Sequence, residues 1–417
     1  MVAGMEFLGA GRIEISSRLF QLSILVILSV SSCFGGHASN TYTDFCHFFE
    51  EDERWWLGCP HSGLERTLSM GVNHVEDADS NISSGKPCRN GTWGPRRNST
   101  LLNQEICPWF YDSYDKSLNV SVFELSNIAR YGNSSAWAQA AADNLRSWNF
   151  NTVGCWSSPL LTGDNLEEGA LNPGQRVVER PDLLYGYMLG MLVTGYEQRA
   201  TYPSCGSWEC PSHEIYPLVD VFSERFAARC DAIARRHASA RRNDHRLLGY
   251  WFDNEVTFDP DWGGGHDLLG STFALWTGES KARVVQWLAG RHGGNGTLPG
   301  INSTARRVDN EAFVMHYVDT YFRVATTAVR THDPNHMILG PRILEQRNFD
   351  TILKAISPYV DVVDVHCYST RPCPEFLQHI HNITNKPILM SEFGFRARDS
   401  GLPNTKGAGP LLWYVMQ

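Results

Sequence analysis

Leu247-Leu248-Gly249-Tyr250-Trp251-Phe252-Asp253-Asn254-Glu255 decides the fold. The stretch runs from Leu247 to Phe252 without a charge and then turns polar at Asp253. A half-exposed strand alternates apolar and polar residues, whereas an unbroken run is buried on both faces. Buried strands of this kind belong to parallel sheets covered by helices. The polar tail then falls at the C-terminal end of the strand, where such proteins place their chemistry. Pro387-Ile388-Leu389-Met390-Ser391-Glu392 has the same form, an apolar run closed by a glutamate.

Working outward, similar runs recur at Leu68 to Val75, Phe150 to Trp156, Tyr187 to Tyr196, Met337 to Gly340 and Val360 to His366. Helical patterns lie between them. Asn133 can cap a helix whose Trp137, Ala141, Leu145 and Trp148 share one face. Further helices are predicted from Pro217 to about Ala238, near Asn310 to Arg330, and from Pro374 to Ile383. Strands alternating with helices give the α/β class, and seven such units over about 330 residues fit a (β/α)8 TIM-type barrel with long loops. The other arrangement is a doubly wound open sheet, but no G-x-G-x-x-G follows the first strand. Residues 39–65 are aromatic and acidic without a clear period and are read as an N-terminal segment packed on the barrel of residues 66–417. Residues 77–130, rich in Ser, Asn, Gly and Pro, read as a long exposed insertion, and Gly263-Gly264-Gly265 as a flexible loop.

The chain has 417 residues, with 36 Lys+Arg against 45 Asp+Glu and a formal charge of −9. That balance argues against nucleic acid as a partner, because phosphate binding needs a basic surface. The 13 Trp, 15 Tyr and 20 Phe serve either core filling or the stacking of sugar faces on aromatic rings. Arg12 and Arg18 precede an apolar run from Leu19 to Val30, too short to span a bilayer, and Gly36-His37-Ala38 offers a cleavage site. Residues 1–38 are therefore read as a secretory signal peptide. A lipobox at Cys33 or an uncleaved anchor are the competing readings. Removing Cys33 with the signal leaves an even set of cysteines, which suggests disulfides in an oxidising compartment. Cys205/Cys210 and Cys367/Cys373 are close enough to close small loops. Sequons at Asn81, Asn90, Asn98, Asn119, Asn133, Asn295, Asn302 and Asn382 favour a glycosylated product, secreted or held in the secretory lumen, with no membrane association after signal cleavage.

Glu255 and Glu392 end two different apolar strands. Two carboxylates at strand ends of one barrel are what retaining glycoside hydrolysis needs, one as acid/base and one as nucleophile. No cofactor and no metal enter this reading. There is no C-x-x-C pair, and His332-Asp333-Pro334-Asn335-His336 reads as a helix stop before a strand.

The Gly249–Glu255 and Pro387–Phe395 stretches resemble the fourth- and seventh-strand motifs of the large clan of retaining (β/α)8 glycoside hydrolases. Ser391 to Gly409 is similar to its bacterial β-agarase-like members. The resemblance implies Glu255 as acid/base and Glu392 as nucleophile, with Asn254 on the sugar 2-hydroxyl. It places His366 and Tyr368 beside the nucleophile. Trp156 and Trp251 are candidates for the sugar subsites, and Asn73 and Arg342, at predicted strand ends, for substrate contacts. The implied substrate is a β-linked polysaccharide or oligosaccharide of agar or galactan type, with β-galactoside, β-mannan and β-glucan as alternatives. A non-catalytic carbohydrate-binding relative, or an inactive fragment, is the other class of function. The clan supplies an eighth strand, and the residues from Gly409 to Gln417 can only begin the helix before it. The barrel is therefore expected to be truncated before that strand.

Overall fold

The computed structural model describes residues 44–73, 75, 114–115, 120–121, 127, 129–155, 157–162, 183–192, 218–259, 266–367 and 373–393. The expected signal peptide, most of the expected 77–130 insertion, the Gly263–Gly265 stretch, Cys205, Cys210 and the start of the expected last helix lie outside the described residues.

The expected N-terminal segment, residues 39–65, holds most of a sheet that its sequence did not announce and that runs on to Thr67. Strands β1 (His47–Glu51), β2 (Arg54–Cys59) and β3 (Leu64–Thr67) form an antiparallel meander. The β1–β2 turn is Asp52-Glu53, with φ of 52° and 62°. Tight hairpins of that shape use Asn-Gly or Asp-Gly, so a turn ending in Glu carries no hairpin signal. A disulfide joins Cys46 to Cys59 across the base of the hairpin.

Seven parallel strands follow among the described residues: β4 (Gly71–Val72), β7 (Thr152–Val153), β8 (Leu184–Leu189), β9 (Leu247–Phe252), β10 (Met337–Gly340), β11 (Val363–His366) and β12 (Ile388–Glu392). A short hairpin of β5 (Tyr114–Asp115) and β6 (Val120–Ser121) belongs to the insertion. The first five parallel strands form one sheet in the order β10-β9-β8-β7-β4, and β11 pairs with β12. A parallel bridge from Ile343 to Val365 links the two sets. The strands thus lie side by side in chain order, and Asn73 Nδ2, just past β4, donates to the Ser391 carbonyl on β12 (2.9 Å). A continuous apolar run has no internal register, and the third strand shows it: β8 runs from Leu184 to Leu189 and shares only Tyr187 to Leu189 with the predicted stretch.

The helices are α1 (Ser134–Ser147), α2 (Pro159–Thr162), α3 (Glu224–Arg241), α4 (Leu268–Leu275), α5 (Gly278–His292), α6 (Thr304–His332), α7 (Phe349–Ile356) and α8 (Pro374–Thr384). Asn133 caps α1 by accepting from Ala136 N (2.8 Å). Asp333 ends α6, with its N–H on the Val329 carbonyl, and its carboxylate accepts from Tyr250 and pairs with His336. The His332–His336 stretch is accordingly a helix stop tied to β9.

The two buried faces expected for β9 are present. Leu247, Tyr250 and Phe252 belong to the large apolar layer between strands and helices. Leu248 and Trp251 face a second layer with Leu184, Met337, Leu339 and Val362. Leu57, Cys46 and Cys59 of the N-terminal meander belong to that same layer, so the meander covers one end of the strand interior. Gly186 on β8 makes room there: a Cβ would overlap the Trp251 ring. No helix among the described residues is long and apolar enough to cross a membrane.

Candidate active site

Glu255 and Glu392 come together at the C-terminal ends of β9 and β12, with His366, the last residue of β11, between them. One donor-type atom of each of the three lies within 4.8 Å of the others. His366 Nδ1 is 2.7 Å from Glu255 Oε1, and its Nε2 is 3.6 Å from Glu392 Oε2. His366 thus lies beside Glu392, where the resemblance puts it, and its hydrogen bond goes to Glu255. Both carboxylates keep about a third or less of their side-chain surface exposed (31% and 27%), while the His366 side chain is fully buried.

The Asp253-Asn254-Glu255 turn is an unusual piece of backbone. Asp253 and Glu255 have φ of 59° and 51°, and Arg342 has φ of 51°. Left-handed conformations cost non-glycine residues of order 1 kcal/mol or more, and persist where surrounding bonds over-determine them. Those bonds are present. Both Asp253 carboxylate oxygens accept from Leu192 N (3.1 Å), and one also accepts from Tyr321 OH (2.6 Å). Glu255 N donates to the Arg342 carbonyl (3.1 Å). The turn is thus clamped by three neighbouring elements, which aims Asn254 and Glu255.

Arg342 is the hub. It is fully buried, and its three donor nitrogens reach three acceptors: Nε to Asn254 Oδ1 (2.8 Å), Nη1 to Ser391 Oγ (2.8 Å) and Nη2 to Glu392 Oε2 (2.9 Å). Only a guanidinium presents donors in that fixed fork. Burial opposes its charge, but Cys155, Asp364, Glu392 and Glu255 more than offset this, and its pKa is raised. Asp364 is also fully buried and accepts from Ser391 Oγ (2.5 Å) and from Trp251 Nε1. Burial pushes its carboxyl up to about 6, against the opposing pull of Arg342 and His366. The native state therefore holds this proton more tightly than the unfolded chain, so ionising Asp364 costs stability as pH rises towards 6. The Cys155 thiol, buried beside Arg342, is pushed up to about 12 by burial.

Two expectations are corrected here. Trp251 is 2% exposed and packs in the strand interior with its indole N–H on Asp364, so it meets no sugar. Arg342 is sealed beneath Glu392, so it acts on the carboxylate rather than on substrate. Asn73 and Asn254 remain at the strand ends, Asn73 on the Ser391 carbonyl and Asn254 under Arg342. Trp156 and Tyr368 lie outside the described residues. Asp364 and Ser391 were missed. The sequence signal was available, a buried-type strand VDVVDVH carrying an acid two residues before His366 and a serine directly before Glu392. Glu255, His366 and Glu392 offer metal-type donors, but the Arg342 guanidinium on Glu392 opposes a cation, and we assign none there.

Fold and site together define a parallel α/β protein with a paired-carboxylate site at its strand ends. The chain is similar to β-agarase A of Vibrio sp. (strain JT0107), at 22% identity over 84% of this chain and 37% of that protein. Among solved structures it is similar to the agarase AgWH50C, with TM-score 0.57 at 20% identity over 92% of this chain and 55% of that one. It is also similar to an exo-β-agarase, with TM-score 0.58 at 17% identity over 86% and 54%. The chain spans about half the length of those structures and 37% of the Vibrio protein. No protein-family model matches it.

Proposed function

We propose that this chain is a (β/α)8-type retaining glycoside hydrolase that cleaves β-linked agar-type galactan, with Glu392 as nucleophile and Glu255 as acid/base. The observation that carries the reading is the approach of the two carboxylates, with oxygens within 4.8 Å. Retaining enzymes hold the pair about 5–5.5 Å apart, and inverting ones about 6.5–9.5 Å apart to admit a water. Glu392, its position fixed by Arg342, attacks the anomeric carbon while Glu255 gives its proton to the departing sugar oxygen. Water then attacks the glycosyl ester, loses its proton to Glu255 and releases Glu392. Arg342 also fixes which way the Asn254 amide faces, towards a sugar hydroxyl next to the reacting carbon. The likeness to β-agarases supports the galactan assignment.

Export fits the same reading. The Cys46–Cys59 and Cys367–Cys373 disulfides suit an oxidising compartment. Asn133, Asn295, Asn302 and Asn382, the sequon asparagines on described helices and loops, are all exposed and accessible to glycans.

The test is turnover of agarose oligosaccharides and of aryl β-galactosides with good and poor leaving groups. Glu255→Ala is expected to slow poor leaving groups by ~10²–10⁴-fold and good ones far less, because only the former need protonation. Equal slowing of both series would remove Glu255 from the acid/base role. Sugar binding without turnover by the unaltered protein would favour a non-catalytic relative.

A further inference from the structure

We propose that Asp364 is a positioning residue of this site: through Ser391 it fixes the Arg342 guanidinium and so sets the orientation of both Glu392 and Asn254. The inference rests on the reading of Glu392 as nucleophile and extends it one layer inward.

Donor and acceptor accounting carries the argument. Arg342 can only donate, so Ser391 Oγ accepts from Nη1 (2.8 Å) and must send its own proton elsewhere. It sends it to Asp364 Oδ1 (2.5 Å). The other Asp364 oxygen accepts from Trp251 Nε1, which also can only donate. The carboxylate form offers an acceptor to both donors at once. A protonated Asp364 would carry an O–H against a hydroxyl or an indole N–H that is itself donating. Asp364 would then donate to Ser391 Oγ, whose second lone pair still takes Arg342 Nη1, and the Ser391 proton would lose the charged acceptor that fixes the hydroxyl.

The surroundings make this a switchable arrangement. The charged and titratable groups facing Asp364 and its partners are Arg342 after β10, His366 on β11, Cys155 after β7, Glu255 after β9 and Glu392 on β12. With its carboxyl pushed up to about 6 by burial, Asp364 loses the carboxylate form as pH falls through the weakly acidic range. Arg342 then loosens while Glu255 and Glu392 are still in place. A small displacement at such a point costs on the order of 10²-fold in rate.

Asp364→Asn keeps one acceptor oxygen and the side-chain volume but removes the charge. We expect kcat to fall ~10–100-fold with KM within about twofold, and the break near pH 6 on the acid limb of kcat/KM to disappear. Ser391→Ala, at a partly exposed position, cuts the same link without a buried charge change. It should lower kcat about tenfold, and Ser391→Thr, which restores the hydroxyl, should recover most of that loss. The outcome that overturns the proposal is an Asp364→Asn or Ser391→Ala protein whose kcat and pH profile match the parent. A kcat loss that Ser391→Thr fails to recover, with the pH 6 break retained in both variants, overturns it equally. Those results leave the nucleophile assignment standing. Failure of that assignment would appear separately, as ordinary turnover by a protein lacking Glu392.

Discussion

Glu392→Ala is expected to lower kcat by ~10⁴-fold or more, the scale seen when a member of a concerted catalytic unit is removed. The carboxylate stands at the end of β12 with the Arg342 fork on it, facing the Glu255 carboxylate. A small anion such as azide or formate can enter the space left by the carboxylate. It should restore part of the rate and give the product of opposite anomeric configuration, because one displacement replaces two. Stability should change little, since the lost carboxylate is partly exposed and its partner Arg342 keeps Asn254 and Ser391. Ordinary turnover by this variant would place the nucleophile elsewhere.

Arg342→Met should act on stability as well as rate. The change leaves Asp364, fully buried, without the nearest cation, and strips Asn254 and Ser391 of a donor. Breaking a buried charge pair from one side costs about 3–5 kcal/mol. At ~2.1 cal/mol/K per residue, a cooperative unit of ~300 residues would melt roughly 5–8 °C lower. Arg342→Lys is expected to recover little, because one ammonium on a flexible stem cannot reach three acceptors spread over two strand ends. Activity of both variants should fall with kcat rather than KM, since Arg342 is sealed from substrate. A melting temperature within a degree of the parent would show that the guanidinium is not holding the site together.

The parts of this architecture that depend on local composition were legible in the chain itself. Uncharged runs ending in Asn254-Glu255 and Ser391-Glu392 marked β9 and β12, and the order of seven such runs matched the order of the parallel strands. What depends on tertiary neighbours was not legible. The register of β8 was misread because Leu183 to Met191 offers no alternation to fix it. The N-terminal meander went unseen because Asp52-Glu53 lacks the usual turn glycine. Helix α7 was passed over although Phe349, Ile352, Leu353 and Ile356 share one buried face at helical spacing. From sequence Trp251 is open to either a sugar subsite or core packing, because an aromatic near a strand end fits either face of the strand. Only the packing of Gly186 and the Asp364 contact decides that it points inward. Arg342 was singled out for the right region but the wrong contact. Its role depends on a fork that spans β9 and β12, some 50 residues or more away along the chain.

The most direct test is the configuration of the product at the moment it forms. Proton magnetic resonance can follow the anomeric signal of a freshly released sugar before mutarotation scrambles it. With Glu255 and Glu392 oxygens within 4.8 Å, no room is left for the water that a single, inverting displacement needs opposite the leaving group. The account predicts that the β anomer, the configuration of the cleaved bond, appears first and the α anomer grows in later. An α anomer appearing first would contradict it.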